Sequence, residues 1–151
     1  MNDPCHRSIC AATRTAIVGI ALSLSALSPA LAEVAVVVGP KTGSPALTKE
    51  QASAIFMGKS ASLPSGTPVV LFDLPESNPL RDEFYTKITG KSAAQVKAHW
   101  AKMSFTGKGT PPKEVSNSGE LKRTVAGVSG GIGYIEKSAL DDSVRSVFAT
   151  N

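Results

Sequence analysis

The chain has 151 residues, with 16 basic against 12 acidic side chains and a formal net charge of +4. That excess is too small and too scattered for a nucleic-acid binder, which carries a clustered basic face, and it favours anionic partners only in a general way. Both cysteines, Cys5 and Cys10, fall in the first ten residues, so disulfides and thiolate metal sites are excluded from the remainder.

Arg7 and Arg14 lead into an apolar run over residues 16–27, and Pro29-Ala30-Leu31-Ala32 supplies an A-x-A site ahead of Glu33. About a dozen apolar residues suit a secretory h-region and are too few to span a bilayer, so residues 1–32 are expected to be a cleaved signal peptide, the other reading being an uncleaved anchor. A lipoprotein would need cysteine where Glu33 stands. Loss of Arg7, Arg14 and Asp3 with the signal leaves residues 33–151 with a net charge of +3. Those residues suit one domain with a modest core. They hold no second apolar run of about 18 residues, so a soluble periplasmic or secreted protein is expected.

Val34-Ala35-Val36-Val37-Val38 is β-branched and apolar on both faces, which reads as a buried strand of the parallel type. Thr48 and Gln51 form a capping box. They open a helix with Ala52, Ile55 and Phe56 inward and Gly58 as its stop. Residues 69–72 read as a second buried strand. The 75–78 turn leads into a helix with Pro79 at its first position, Leu80, Phe84 and Ile88 on one face, and Gly90 at its end. Ser92 and Gln95 make a second capping box before a helix whose apolar face is Val96, Trp100 and Met103. A long polar loop over residues 104–118 follows, then a helix near 119–126 with Leu121 and Val125 inward. Strands are expected at 131–135 and 144–148. Alternating strands and helices imply an α/β domain with a mixed sheet covered on both faces. One core is expected to hold Ile55, Phe56, Val70, Phe84, Trp100 and Ile132.

Two segments are candidate binding sites. The turn before Pro79 leads a strand into a helix N-terminus, where backbone N–H groups and the helix dipole favour an anion. Ser77 and Asn78 sit in it, with Arg81 one turn further on; simple capping by Ser77 or Asn78 is the other reading. The second is Gly107-Lys108-Gly109-Thr110, where glycines allow close backbone approach and Lys108 brings a mobile charge suited to an acidic partner. Long loops of this kind are often functional. No P-loop spacing surrounds it, and Gly58-Lys59-Ser60 and Gly90-Lys91-Ser92 lack the first glycine of that motif. His99, the one histidine after the signal, has no Cys or placed carboxylate to share a metal with, and it offers no Ser-His-acid set. Asp141-Asp142 reads as a solvated turn. No catalytic residue, metal site or cofactor is expected, and the chain does not read as an enzyme.

The order of Leu47-Thr48 to Ile55-Phe56-Met57-Gly58-Lys59, then Val69-Val70-Leu71-Phe72-Asp73, then Glu76-Ser77-Asn78-Pro79-Leu80-Arg81, and finally Gly130-Gly131-Ile132-Gly133-Tyr134-Ile135 resembles the periplasmic phosphate-binding proteins of ABC transporters. The resemblance spans residues 34–148 and only one lobe of that two-lobed family. It implies one lobe of a type II periplasmic-binding-protein-like fold, a mixed sheet flanked by helices. It also implies a solute-binding role towards phosphate or another small oxyanion, weak or completed by a homodimer, with an ABC transporter permease as partner. The alternative is a protein–protein module on the same lobe, acting with a sensor protein. In the family the matching turn carries an Arg, an acidic residue and a Gly-Ser-Gly-Thr run. Ser77 matches its Ser, Asn78 and Pro79 replace Gly and Thr, and Asp73 falls at or beside the Arg. On that alignment Asp73 repels the anion, and Asp73→Arg is expected to strengthen phosphate binding. The usual Trp after the Gly-Lys segment is absent.

Secreted protein is expected to begin at Glu33 on N-terminal sequencing; a form retaining Cys5 would refute the cleavage site.

Overall fold

The computed structural model describes residues 32–150; the expected signal segment, apart from its last residue Ala32, lies outside them. Five strands form one sheet in the order β3-β2-β4-β1-β5. They are β1 (Val34–Val38), β2 (Val70–Asp73), β3 (Lys113–Glu114), β4 (Gly131–Glu136) and β5 (Arg145–Ala149). The helices are α1 (Lys49–Phe56), α2 (Pro79–Thr89), α3 (Ala93–Phe105) and α4 (Ser118–Gly127). This is the mixed α/β sheet with flanking helices that the sequence implied.

β1 is buried at all five residues, but its pairing is antiparallel, to β4 on one side and β5 on the other. The parallel partners are β2 with β4 and β2 with β3. The parallel reading of β1 is therefore corrected. A continuous apolar run reports helices on both faces and says nothing about strand direction.

β4 shows how both faces are covered. A Cβ at Gly133 would lie 2.6 Å from Leu121 Cδ2, and one at Gly131 would lie 3.0 Å from the Val125 carbonyl. Glycine at these alternate positions lets α4 pack directly on the sheet. Tyr134, next after Gly133 in the pleat, points the other way. Its ring stacks on Phe84 of α2 with centroids 3.8 Å apart, and Phe56 of α1 meets both rings edge-on.

The capping boxes of Thr48 with Gln51 and Ser92 with Gln95 both form, and Gly90 ends α2 in the left-handed region at φ 69°. Gly58 is held by two constraints. Its φ is +69°, and a Cβ there would come within 2.7 Å of Trp100 Cη2, so α1 turns off against the face of α3. Val70 departs from the expected core: it is half-buried, packed at the margin. The polar loop is also shorter than expected. α3 runs on to Phe105, and Lys113–Glu114 forms a two-residue strand beside Phe72 and Asp73. Both β3 residues are exposed, so no apolar alternation announced them.

Phe84 is fully buried at the centre of this aromatic packing. Phe84→Ala is expected to cost about 3–5 kcal/mol in urea melts; a loss below about 1 kcal/mol, as for surface sites, would show that the ring is not central.

Candidate functional site

β2 ends at Asp73, whose side chain is 5% exposed. Leu74 follows, fully buried, and Pro75 opens a turn closed by Asn78 N–H donating to the Pro75 carbonyl at 2.9 Å. Asn78 then caps α2: its Oδ1 accepts from Leu80 N–H at 3.0 Å, and its carbonyl accepts from Arg81 N–H at 3.0 Å. Pro79 has no N–H to offer. The first-turn donors expected to face an anion are thus engaged within the helix, and the capping role applies to Asn78. Ser77 stands exposed on the turn.

Arg81 turns inward and is 8% exposed. Its Nε donates to Asp73 Oδ2 at 3.2 Å. Tyr85 OH donates to the same oxygen at 2.9 Å. Asp73 Oδ1 accepts from Leu74 N–H at 2.9 Å and from Tyr134 OH in a short contact. A buried carboxylate is tolerated only when paired and hydrogen-bonded, and four donors from α2, β4 and the backbone meet that condition here. Burial, reinforced by the Asp73 charge, raises both phenols well above the usual tyrosine value, so Tyr85 and Tyr134 remain donors.

This arrangement corrects the view of Asp73 as a group that simply opposes a ligand. Its charge is spent on Arg81. Asp73→Arg would set a second guanidinium beside the first and leave two phenols without an acceptor, so it destabilises the junction instead of creating a phosphate clamp.

Arg81 keeps one unmet donor. Its Nη1 is buried without a hydrogen-bond partner, 3.8 Å from Glu76 Oε1 in the Ser77 turn. Glu76 also pairs with Lys97 Nζ of α3 at 2.8 Å, and that lysine, with Arg81 behind it, holds the Glu76 carboxyl below its usual range. Glu76 and Lys97 line a cleft of about 540 Å³ floored by Ala93, Ala94, Ala98 and Ala101. Neither residue was singled out from sequence. Lys97 lies 21 positions from Glu76, and only the packing of α3 beside the turn joins them.

Gly107, Lys108, Gly109 and Thr110 lie elsewhere. Lys108, Gly109 and Thr110 border a second cleft, of about 450 Å³, with Gly58, Trp100, residues 69–71 of the β2 edge and Lys113. Gly107 takes φ +67° and donates to the Ser104 carbonyl, turning the chain off α3. The two predicted patches therefore do not share a cleft. His99 Nε2 lies 2.9 Å from the Met57 carbonyl, joining α3 to the end of α1. Asp141 pairs with Lys122 at 2.5 Å. Among the described residues no three His, Cys, Asp or Glu side chains are grouped as a metal site.

The sheet order and the β2–α2 junction define an α/β lobe of the periplasmic-binding-protein type. Its solved counterparts are phosphate-transport receptors. A phosphate ABC transporter substrate-binding protein from Clostridium perfringens, solved with bound phosphate, superposes with a TM-score of 0.61 at 24% identity, over 78% of this chain and 45% of that one. An ABC-type phosphate transport receptor from Vibrio cholerae gives 0.60 at 19% identity, over 78% and 47%. PstS from Borrelia burgdorferi gives 0.56 at 13% identity, over 77% and 47%. The chain spans about half the length of these proteins, and the likeness is one of fold. No protein-family model matches the chain, and no curated protein matches it.

The two buried phenols generate a pH dependence. The unfolded chain loses their protons near pH 10 while the folded chain retains them, so above about pH 10 the unfolded state binds fewer protons and stability falls as pH rises. Urea midpoints are expected to drop above about pH 10, and Tyr85→Phe or Tyr134→Phe to make that drop shallower, by up to about 1.4 kcal/mol per pH unit for each phenol. Equal slopes in wild type and variants would refute the assignment.

Proposed function

We propose that the chain is an extracytoplasmic solute-binding lobe of the phosphate-transporter type, exported by residues 1–32 and acting through residues 33–151. It contacts phosphate, or another small oxyanion, weakly at the Ser77 turn. The observation that carries this reading is the buried Arg81 Nη1, without a hydrogen-bond partner and 3.8 Å from the turn's Glu76. An oxyanion displacing the half-exposed Glu76 carboxylate would accept from Nη1, from Lys97 Nζ and from the Ser77 hydroxyl, with Asn78 shaping the turn. Charge-assisted contacts of that kind are the strong ones in oxyanion recognition. The fold shared with a phosphate-bound receptor supports the solute class.

Binding is weak for two reasons. Asp73 already offsets the Arg81 charge from within, and the described residues form one lobe that covers the turn from one side only. A second copy presenting the same turn would supply that cover, which is the case for a homodimer. The Gly107–Thr110 loop serves a different contact. Its cleft has the Trp100 ring and the β2 edge as an apolar floor and Lys108 and Lys113 as a cationic rim, which suits an acidic segment of a permease or sensor. That cleft favours the second reading, a protein–protein module without a solute. No catalytic role is assigned.

Titration calorimetry of residues 33–151 with phosphate, beside sulfate and buffer, tests the first reading. The expected dissociation constant is about 10 μM to 1 mM, since a few half-exposed hydrogen bonds yield about 4–7 kcal/mol. Ser77→Ala and Lys97→Ala should weaken it, and Glu76→Gln should tighten it by removing the competing carboxylate. Silence of all four proteins at millimolar phosphate and sulfate overturns the solute reading and leaves the partner reading.

A further inference from the structure

We propose that the cage around Asp73 is an oxyanion site in its own right, of carboxylate size, that the chain keeps filled with its own side chain. Arg81 Nε, Tyr85 OH, Tyr134 OH and Leu74 N–H converge on the two oxygens of a single buried carboxylate. Such a constellation of cation, phenols and backbone amide is what a receptor for a small organic acid presents. The proposal stands apart from phosphate contact at the Ser77 turn, which uses the opposite edge of the guanidinium and an exposed hydroxyl.

The donors are held in place by contacts that do not involve Asp73. Tyr134 is clamped by its stack on Phe84, at an interplanar angle of 5°. Tyr85 lies edge-on to Phe84 and Phe56, with centroids 5.1 and 6.5 Å away. Arg81 is carried by the first turn of α2, which Asn78 caps, and its guanidinium lies over the Tyr85 ring at 5.9 Å. Leu74 N–H is positioned by the end of β2. Removing the carboxylate therefore leaves a preformed cage with a buried cation and two buried hydroxyls lacking an acceptor, a costly state that any small anion of the right shape relieves.

The geometry sets the size of that anion. Asp73→Ala removes one carboxylate group, the volume of formate. Asp73→Gly also removes the methylene, the volume of acetate. The wild-type lobe, being internally liganded at this point, has its β2–α2 junction closed without any solute.

Thermal melts of residues 33–151 in sodium chloride, formate and acetate at equal ionic strength and neutral pH test the proposal. Wild type and Asp73→Asn, whose cages stay full, should respond alike to all three salts. Asp73→Ala should gain about 3–8 °C from formate over chloride, saturably, and Asp73→Gly should gain from both formate and acetate. Asp73→Ala/Tyr85→Phe should need several-fold more formate for the same gain. If Asp73→Ala is unfolded in chloride, recovery of the helical circular dichroism signal in formate is the readout. Equal melting in chloride and formate, no recovery of signal, or a gain unaffected by Tyr85→Phe would each overturn the proposal.

Discussion

Asp73 is a carboxylate with almost no access to water, at the end of an otherwise apolar strand. An uncompensated charge there would cost several kcal/mol, so the surroundings must be built to receive it. Arg81 and Tyr85 come from α2, Tyr134 from β4 and Leu74 N–H from the adjoining backbone. Satisfying this one group ties α2 to the sheet, engages the inward-facing Arg81, and thereby decides what the neighbouring turn can offer to a ligand.

The polar node is continuous with the aromatic packing below it. Tyr85 and Tyr134 contribute their rings to the Phe56 and Phe84 cluster and their hydroxyls to Asp73, so each phenol belongs to the core by its body and to the network by its tip. On the opposite face, glycines at 131 and 133 let α4 approach. β4 thus presents backbone to one helix layer and a tyrosine to the other, and that tyrosine reaches the β2–α2 junction through its hydroxyl on Asp73.

For recognition, the consequence is a division of cations. Arg81 is largely neutralised from within, Lys97 is shared with Glu76, and Lys108 and Lys113 lie on a separate cleft with an apolar floor. A lobe spanning 45–47% of the phosphate-transport receptors it resembles therefore concentrates less free positive charge at the β2–α2 turn than its sequence contains. The proposals of weak oxyanion contact at the turn and of protein contact at the second cleft both rest on that distribution.

The local elements were legible because their signals are local. Thr48 with Gln51, Ser92 with Gln95, Pro79 and Gly90 each act within a turn of helix, and the inward stripes of α1 and α2 repeat at helical spacing. The order of motifs also carried the α/β lobe. Strand direction was not legible in β1, since burial on both faces is the same for parallel and antiparallel neighbours. β3 was hidden because two exposed residues carry no pattern and become a strand only by pairing with Phe72 and Asp73. The partners of Asp73 were hidden for the same reason: Arg81 and Tyr85 are 8 and 12 positions away and Tyr134 is 61. Sequence by itself determined where the four helices and the four longer strands lie and which faces are apolar, because those depend on neighbours a few residues apart. Only the tertiary structure decided that Asp73 is paired and not repulsive, that Arg81 faces inward, and that the Ser77 turn and the Gly107 loop serve separate clefts, because those depend on which distant residues the sheet brings within hydrogen-bonding distance.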